Sequence, residues 1–181
     1  MHVALLRGIN VGKAKRIAMA DLRELCETLG YGHVQTLLNS GNIVFSAPRA
    51  DPKAATRIEK EIAARLGVKS RVVVLTAPEL ERIVAENPFE ECDTNPSRFL
   101  VFVLNADADR PRIEELVAQR WGADRLGLGS RAAYLWCPNG QIESRAAIAL
   151  GKAIGDSGTA RNWATMKKLQ ALTQPGDAAR A

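Results

Sequence analysis

The sequence predicts an α+β fold of two ferredoxin-like halves, each βαββα[β], with antiparallel sheets, helices laid on them and a C-terminal helix. Three observations predict it. Short continuous apolar runs of strand length alternate with apolar residues at helical spacing. Gly, Pro, Asn and Ser punctuate each change. The order strand, helix, strand, strand, helix occurs twice in 181 residues. No residue-level identity links the two halves, so the duplication rests on element order alone.

The first strand spans residues 2–6, a short apolar run, and a loop follows from Arg7 to Arg16. Met19, Leu22, Leu25, Cys26 and Leu29 recur at helical spacing, and Gly30 and Gly32 stop that helix. Strands at 34–38 and 43–46 flank Asn39-Ser40-Gly41-Asn42, read as a tight hairpin with Ser-Gly at the centre of a two-residue loop. Asp51-Pro52 supplies a cap and a first-turn proline for a second helix, whose face carries Ile58, Ile62 and Leu66 and which Gly67 ends. A nearly continuous apolar strand at 71–75 closes the first half. Thr76-Ala77-Pro78-Glu79 is a capping box that opens a connecting helix ending near Asn87-Pro88.

The order then restarts. A strand is expected at 99–104, and a helix around Ile113, Leu116 and Val117. A weak strand carries Leu126 and Leu128, and a stronger one covers 132–137. Asn139-Gly140 is a turn, and a helix is expected over 142–154. A last helix from about 162 to 172 stands where a closing strand would be expected. The organisation is therefore a first half at 1–75, a connecting helix and linker at 76–97, a second half with the C-terminal helix at 98–173, and a flexible tail at 174–181.

Composition excludes several classes. The chain is 46% hydrophobic, 25% charged and 5% aromatic, which suits a globular protein with a core. No apolar run reaches 18 residues, so no membrane span is expected. The N-terminus runs straight into a strand and carries no signal-peptide pattern. Three cysteines without pair spacing argue against a disulfide framework, and a cytoplasmic location is expected. Two histidines and no CxxC leave little for a metal site; no metal and no cofactor are expected. The net charge of +5 is divided evenly, with 13 of the 25 basic and 10 of the 20 acidic residues in the first ninety. That distribution makes no basic tail.

The predicted topology has a geometric consequence. In each half, strand three runs back between strands one and two. The loop after strand one, the hairpin between strands two and three and the turn into strand four then share one end of the sheet. In the first half this brings Arg7, Lys13, Lys15, Arg16 and Lys69 together with Asn10, Asn39, Ser40 and Asn42.

Several motifs compete for that loop. Gly8-Ile9-Asn10-Val11-Gly12-Lys13-Ala14 follows a strand and precedes a helix, as a phosphate loop does. It has one residue too few between the glycines, and Ala14 stands where Ser or Thr would hold magnesium, so a P-loop ATPase is not expected. A looser anion loop fits, with backbone N–H groups exposed by two glycines and charge from the lysines and Arg16. Arg7 suits a bidentate grip on phosphate or carboxylate, or an ion pair with a helix carboxylate. Arg161 and Asn162 open the last helix, where amide groups favour anions. Trp163, Met166, Leu169 and Leu172 share an apolar face, which reads as core before ligand platform. The alternating acids from Asn105 to Asp109 lack the Gly and the twelfth-position Glu of a calcium loop and read as a helix cap. Neither His2 nor His33 has a sequence partner, and no nucleophile–base pair can be drawn. Base stacking on an open sheet needs aromatics on strands one and three; the first half offers only Phe45, and Phe99 and Phe102 point to opposite faces.

Four blocks together carry a resemblance: Leu5-Leu6-Arg7-Gly8-Ile9-Asn10-Val11-Gly12, Met19-Ala20-Asp21-Leu22, Ser40-Gly41-Asn42, and Thr159-Ala160-Arg161-Asn162-Trp163. With them the chain resembles, over about residues 1–172, the mainly bacterial domain of unknown function numbered 1697. The family pattern usually has a second Gly at Lys13 and a more polar residue at Ala164. The resemblance implies a duplicated α+β fold of ferredoxin-like halves and implies no activity. It also suggests that Arg7, Asn10, Ser40, Asn42, Arg161 and Asn162 matter together. The leading expectation is an anionic small ligand, a nucleotide or phosphorylated metabolite, held by Arg7, Asn10, Lys13, Ser40, Asn42, Arg161 and Asn162. The alternatives are an enzyme acting on a nucleotide or phosphate ester, a nucleic-acid-binding domain with weak support, and a protein-interaction domain. The sequence does not give an oligomeric state.

Overall fold

The computed structural model describes residues 1–11, 15–47, 51–105 and 108–174. The chain divides into two units: unit 1 holds residues 1–80 and 169–181, and unit 2 holds 81–168. The division falls inside two helices, α3 (Ala77–Ala85) and α6 (Trp163–Thr173).

Unit 1 contains β1 (His2–Leu6), α1 (Met19–Thr28), β2 (Gly32–Leu37), β3 (Asn42–Ser46), α2 (Ala54–Leu66) and β4 (Val72–Thr76). Its sheet has the order β2-β3-β1-β4 with every pair antiparallel. β3 returns between β2 and β1, as the split βαβ order requires. Ala4, Leu6, Ile43, Phe45 and Val72 face Leu22, Leu25 and Cys26 of α1 and Ile58 and Ile62 of α2 to form the core. Val3, Leu5, Val73 and Leu75, on the opposite pleat, are buried too. Burial on both faces is why these strands read as continuous apolar runs rather than alternating ones.

Unit 2 repeats the plan with β5 (Phe99–Leu104), α4 (Arg110–Val117), β6 (Arg125–Leu128), β7 (Ala132–Trp136), α5 (Arg145–Ile154) and β8 (Gly158–Asn162). The sheet order is β6-β7-β5-β8, the same pattern shifted by four strands. Leu100, Phe102, Leu104, Ala133 and Leu135 face Ile113 of α4 and Ala146, Leu150 and Ile154 of α5. On the other pleat Phe99 lies between the rings of Phe89, Tyr134 and Trp163, at centroid distances of 5.9, 6.4 and 5.5 Å. The Tyr134 hydroxyl donates to the Ile83 carbonyl (2.7 Å).

Four element expectations are corrected. The closing strand of the second half exists: β8 pairs with β5 from Leu100↔Asn162 to Leu104↔Gly158, so Thr159 to Asn162 are strand and α6 begins only at Trp163. Gly-Thr-Ala-Arg-Asn has no apolar signal although Gly158, Thr159 and Arg161 are buried; the Arg161 guanidinium is satisfied by the Thr159 hydroxyl and the Ala160 carbonyl, and pairing with β5 makes the segment a strand. Gly158 is required there, since a Cβ would lie 2.5 Å from the Val103 carbonyl oxygen. The β2–β3 connection is not a two-residue loop: Leu37 pairs with Asn42, leaving Leu38–Gly41 as a four-residue turn. α2 starts at Ala54, not at Pro52. Asp51 accepts the Lys53 N–H (3.1 Å) with Oδ1, while Oδ2 takes the Tyr31 hydroxyl (2.9 Å) and the Arg57 guanidinium (2.8 Å). α5 starts at Arg145, three residues later than its apolar pattern, because Ser144 caps it by accepting the Ala147 N–H (2.9 Å) and Ile142 stays 89% exposed. The expected tail lies, from residue 175 on, outside the described residues.

Candidate functional site

Three connections meet at one end of the unit 1 sheet. β3 and β4 flank β1 and run opposite to it, so the end of β1 lies beside the starts of both. The Leu6 N–H donates to the Gly41 carbonyl (2.8 Å), and the Arg7 N–H to the Arg71 carbonyl (2.8 Å). The Ser70 hydroxyl donates to the Arg7 carbonyl (2.9 Å).

Asn10 organises the loop after β1. It adopts a left-handed backbone (φ 55°), which Asn tolerates better than most residues. Its carboxamide donates to the carbonyls of Ile17 (2.9 Å) and Asn39 (2.7 Å) and accepts the Ile17 N–H (2.9 Å). The side chain thus closes its own loop and ties it to the hairpin. Asn42 does the same for the hairpin. It is fully buried, and its amide donates to the Leu37 carbonyl (2.7 Å) and the Ser40 hydroxyl (3.0 Å). Gly41 combines a φ of 77° with a close approach, since a Cβ there would lie 2.7 Å from Leu6 Cβ and 2.8 Å from Ile9 Cδ1. Ser40 is exposed and Arg7 half-buried. Lys13 lies outside the described residues.

A hollow of about 400 Å³ opens at this end of the sheet, lined by Asn10, Arg16, Ile17, Ala18, Met19 and Asn39. It sits at the start of α1, whose N-cap residue is Ala18. Among the described residues no side chain caps that turn. The first amides of the helix therefore lack both an intrahelical acceptor and a side-chain one. Arg16 is exposed, and among the described residues it forms no ion pair. The opposing contribution is Asp21, a carboxylate in the first turn. Arg16 and Asn39 are thus the polar side chains of the hollow that sequence reasoning put on this edge but not among the ligand-holding set. Arg16 carried a legible signal, standing three residues before a helix that begins with no capping residue.

Arg161 and Asn162 belong to unit 2. Arg161 lies in β8 opposite Val101 and is buried; its guanidinium donates to the Thr159 hydroxyl (3.0 Å) and the Ala160 carbonyl (2.7 Å). Burial pushes its pKa down to about 10. Asn162 ends β8 and caps α6 by accepting from the Thr165 N–H (2.9 Å) and the Thr165 hydroxyl (2.7 Å). Trp163 is core: it is 4% exposed, meets Phe99 edge-on, and donates its indole N–H to Asp93 (2.8 Å).

Among the described residues no three His, Cys, Asp or Glu side chains come together as a metal site. No helix there is long and apolar enough to cross a membrane. The three cysteines are free and buried.

A duplicated α+β protein with a polar loop end on its first sheet is the class that this fold and geometry define. The chain belongs to the family described as Protein of unknown function (DUF1697), whose model matches residues 1–134. The matched stretch contains the whole loop end of unit 1 and stops before the Thr159–Trp163 block. Among solved structures, the chain is similar to a conserved bacterial protein from Streptococcus pneumoniae, with a TM-score of 0.75 and 19% identity over 96% of this chain and 98% of that one. That likeness establishes the fold. None of the curated proteins matches the chain.

Proposed function

We propose that the protein binds an anionic small molecule, a nucleotide or phosphorylated metabolite, at the loop end of the unit 1 sheet. The observation that carries this reading is the hollow of about 400 Å³ where Arg16 meets the uncapped start of α1. Helix N–H groups at that position point at a bound anion, and the helix dipole favours negative charge. A guanidinium adds charge-assisted hydrogen bonds with fixed geometry. Arg7 and Ser40 stand on the same end and extend the polar surface. Asn10 and Asn42 serve this site by holding its loops, since their amides are committed to the backbone. Arg161 and Asn162 serve the β8–α6 corner in this reading.

The test is a thermal-shift screen with inorganic phosphate, sugar phosphates and nucleoside phosphates on wild type, Arg7→Ala and Arg16→Ala. A ligand at one hundred times its dissociation constant adds about 2.7 kcal/mol, a rise of roughly 5–11 °C for a chain of this length. Arg16→Ala is expected to leave the ligand-free protein within about 0.5 kcal/mol of wild type and to abolish most of the rise. No rise with any phosphate, or a rise with inorganic phosphate or a sugar phosphate that is indifferent to both variants, overturns the reading.

A further inference from the structure

A second hollow of about 400 Å³ lies in unit 2, where the α4–β6 connection meets the segment after α3. Its apolar lining includes Phe89, Val117 and Trp121, and its polar lining includes Gln119, Arg120 and Arg125. Each aromatic is fixed by contacts behind it. The Trp121 indole N–H donates to the Leu116 carbonyl (2.8 Å), and the residue packs on the α4–α5 core while staying half-exposed. Phe89 meets Phe99 edge-on. The Arg125 guanidinium lies 5.1 Å from the Phe89 ring centroid and pairs with Glu91. A bridge between Trp121 and Asp124 sets the turn between them.

The polar groups are not equivalent. Arg125 is neutralised by Glu91. Arg120 is exposed and forms no ion pair among the described residues. Asp124, also in the lining, accepts the Ser144 hydroxyl on Oδ2 (2.7 Å). The hollow thus joins fixed aromatic surface to a guanidinium in no ion pair among the described residues, to the Asp124 carboxylate and to the Gln119 amide. Inorganic anions would leave the apolar lining unused, and a purely apolar molecule would desolvate Arg120 without return.

We propose that this hollow is a separate ligand site for a planar heteroaromatic ring carrying an anionic group, of which a nucleoside 5′-monophosphate is the matching class. The volume falls in the range of small-molecule sites, and the lining sets two aromatic rings beside four polar side chains. The ring packs against Trp121 and the Phe89 side of the hollow, as bases do on aromatic platforms. Arg120 takes the phosphate, and Gln119 and Asp124 meet the hydroxyls and ring edge. The inference does not depend on the unit 1 site, which uses none of these residues.

The experiment is calorimetric titration of the full chain with the 5′-monophosphates of adenosine, guanosine, cytidine and uridine, with the matching nucleosides, and with inorganic phosphate. It is run on wild type, Arg120→Ala, Trp121→Leu and Arg16→Ala. At least one monophosphate is expected to saturate. Arg120→Ala should weaken it about tenfold or more while leaving its nucleoside within about twofold. Trp121→Leu should weaken both by about tenfold. Arg16→Ala should leave the binding that Arg120→Ala weakens unchanged. Arg120 is exposed, so its variant decides the matter even if Trp121→Leu folds poorly. No saturation by any nucleotide or nucleoside at millimolar concentration overturns the proposal. So does nucleotide binding that survives Arg120→Ala and disappears with Arg16→Ala, which would assign it to unit 1.

Discussion

Trp163 shows what a single position in a motif can mean. In sequence it stands beside Arg161 and Asn162, the pair expected to hold a ligand. In the fold its ring edge meets Phe99 and its indole N–H satisfies Asp93. Trp163→Ala should therefore cost about 3–5 kcal/mol in the ligand-free protein, read as a lower urea midpoint with an unchanged slope. A loss below about 1 kcal/mol would contradict a core role. The two asparagines teach the same lesson from the polar side. Asn42 was legible as special because Asn beside Gly marks turns, and Asn10 because it lies in a loop with a glycine two residues to either side. Their direction was not legible: their amides point at their own backbone carbonyls, not at solvent. A side chain's type can be read in one dimension, but whether its donors are already satisfied depends on chain segments up to 70 residues away.

Among the elements, local chemistry was read most faithfully where it closes within one turn. The capping box at the start of α3 forms in full. Glu79 accepts the Thr76 N–H (2.8 Å), and Thr76 Oγ1 accepts the Glu79 N–H (3.3 Å). Thr76→Ala should cost about 1 kcal/mol and lower the thermal midpoint by roughly 2–4 °C. A shift of zero would mean the box adds nothing to what the sheet already holds. Asp109 likewise caps α4, accepting the Arg112 N–H (3.2 Å), as its acidic run suggests. β8 is the opposite case. Its residues have no strand pattern, and β5 imposes the conformation through five register pairs. The start of α5 was misplaced for a related reason: Ile142 fits the helical period but is solvent-exposed, and the Ser144 cap decides where the helix begins.

At the scale of the molecule, burial of titratable groups sets an upper pH bound on stability. Burial pushes the Cys26 thiol up to about 12 and the Cys137 thiol to about 11, against 9.0 unperturbed. Burial, then the bond to Asp51, pushes the Tyr31 hydroxyl up to about 12 from 10.0. Each folded group keeps its proton where the unfolded chain has released it. The folded state binds more protons above pH 9, so stability falls as pH rises. The contribution is fully present below about pH 9 and is lost as pH climbs through 11 and 12. Urea midpoints at pH 7, 9 and 10.5 should be level over the first interval and fall over the second. A midpoint that holds to pH 10.5 would show that these groups are solvated.

The sequence by itself determined the fold class, the order of thirteen of the fourteen strands and α-helices among the described residues, and the meeting of three connections at one end of the first sheet. Those follow from periodicity, turn residues and strand polarity, all of which are local or topological. Tertiary structure alone decided three things. It made β8 a strand by pairing it with β5. It turned Asn10 into a clasp that ties its own loop to the hairpin. It left Arg16 beside an open helix start, and Arg120 in one hollow with Trp121 and Phe89, as exposed cations with no ion pair among the described residues. The physical reason is common to all three: satisfaction of a polar group and burial of a ring depend on what the rest of the chain brings against it, and that appears only when the elements are packed.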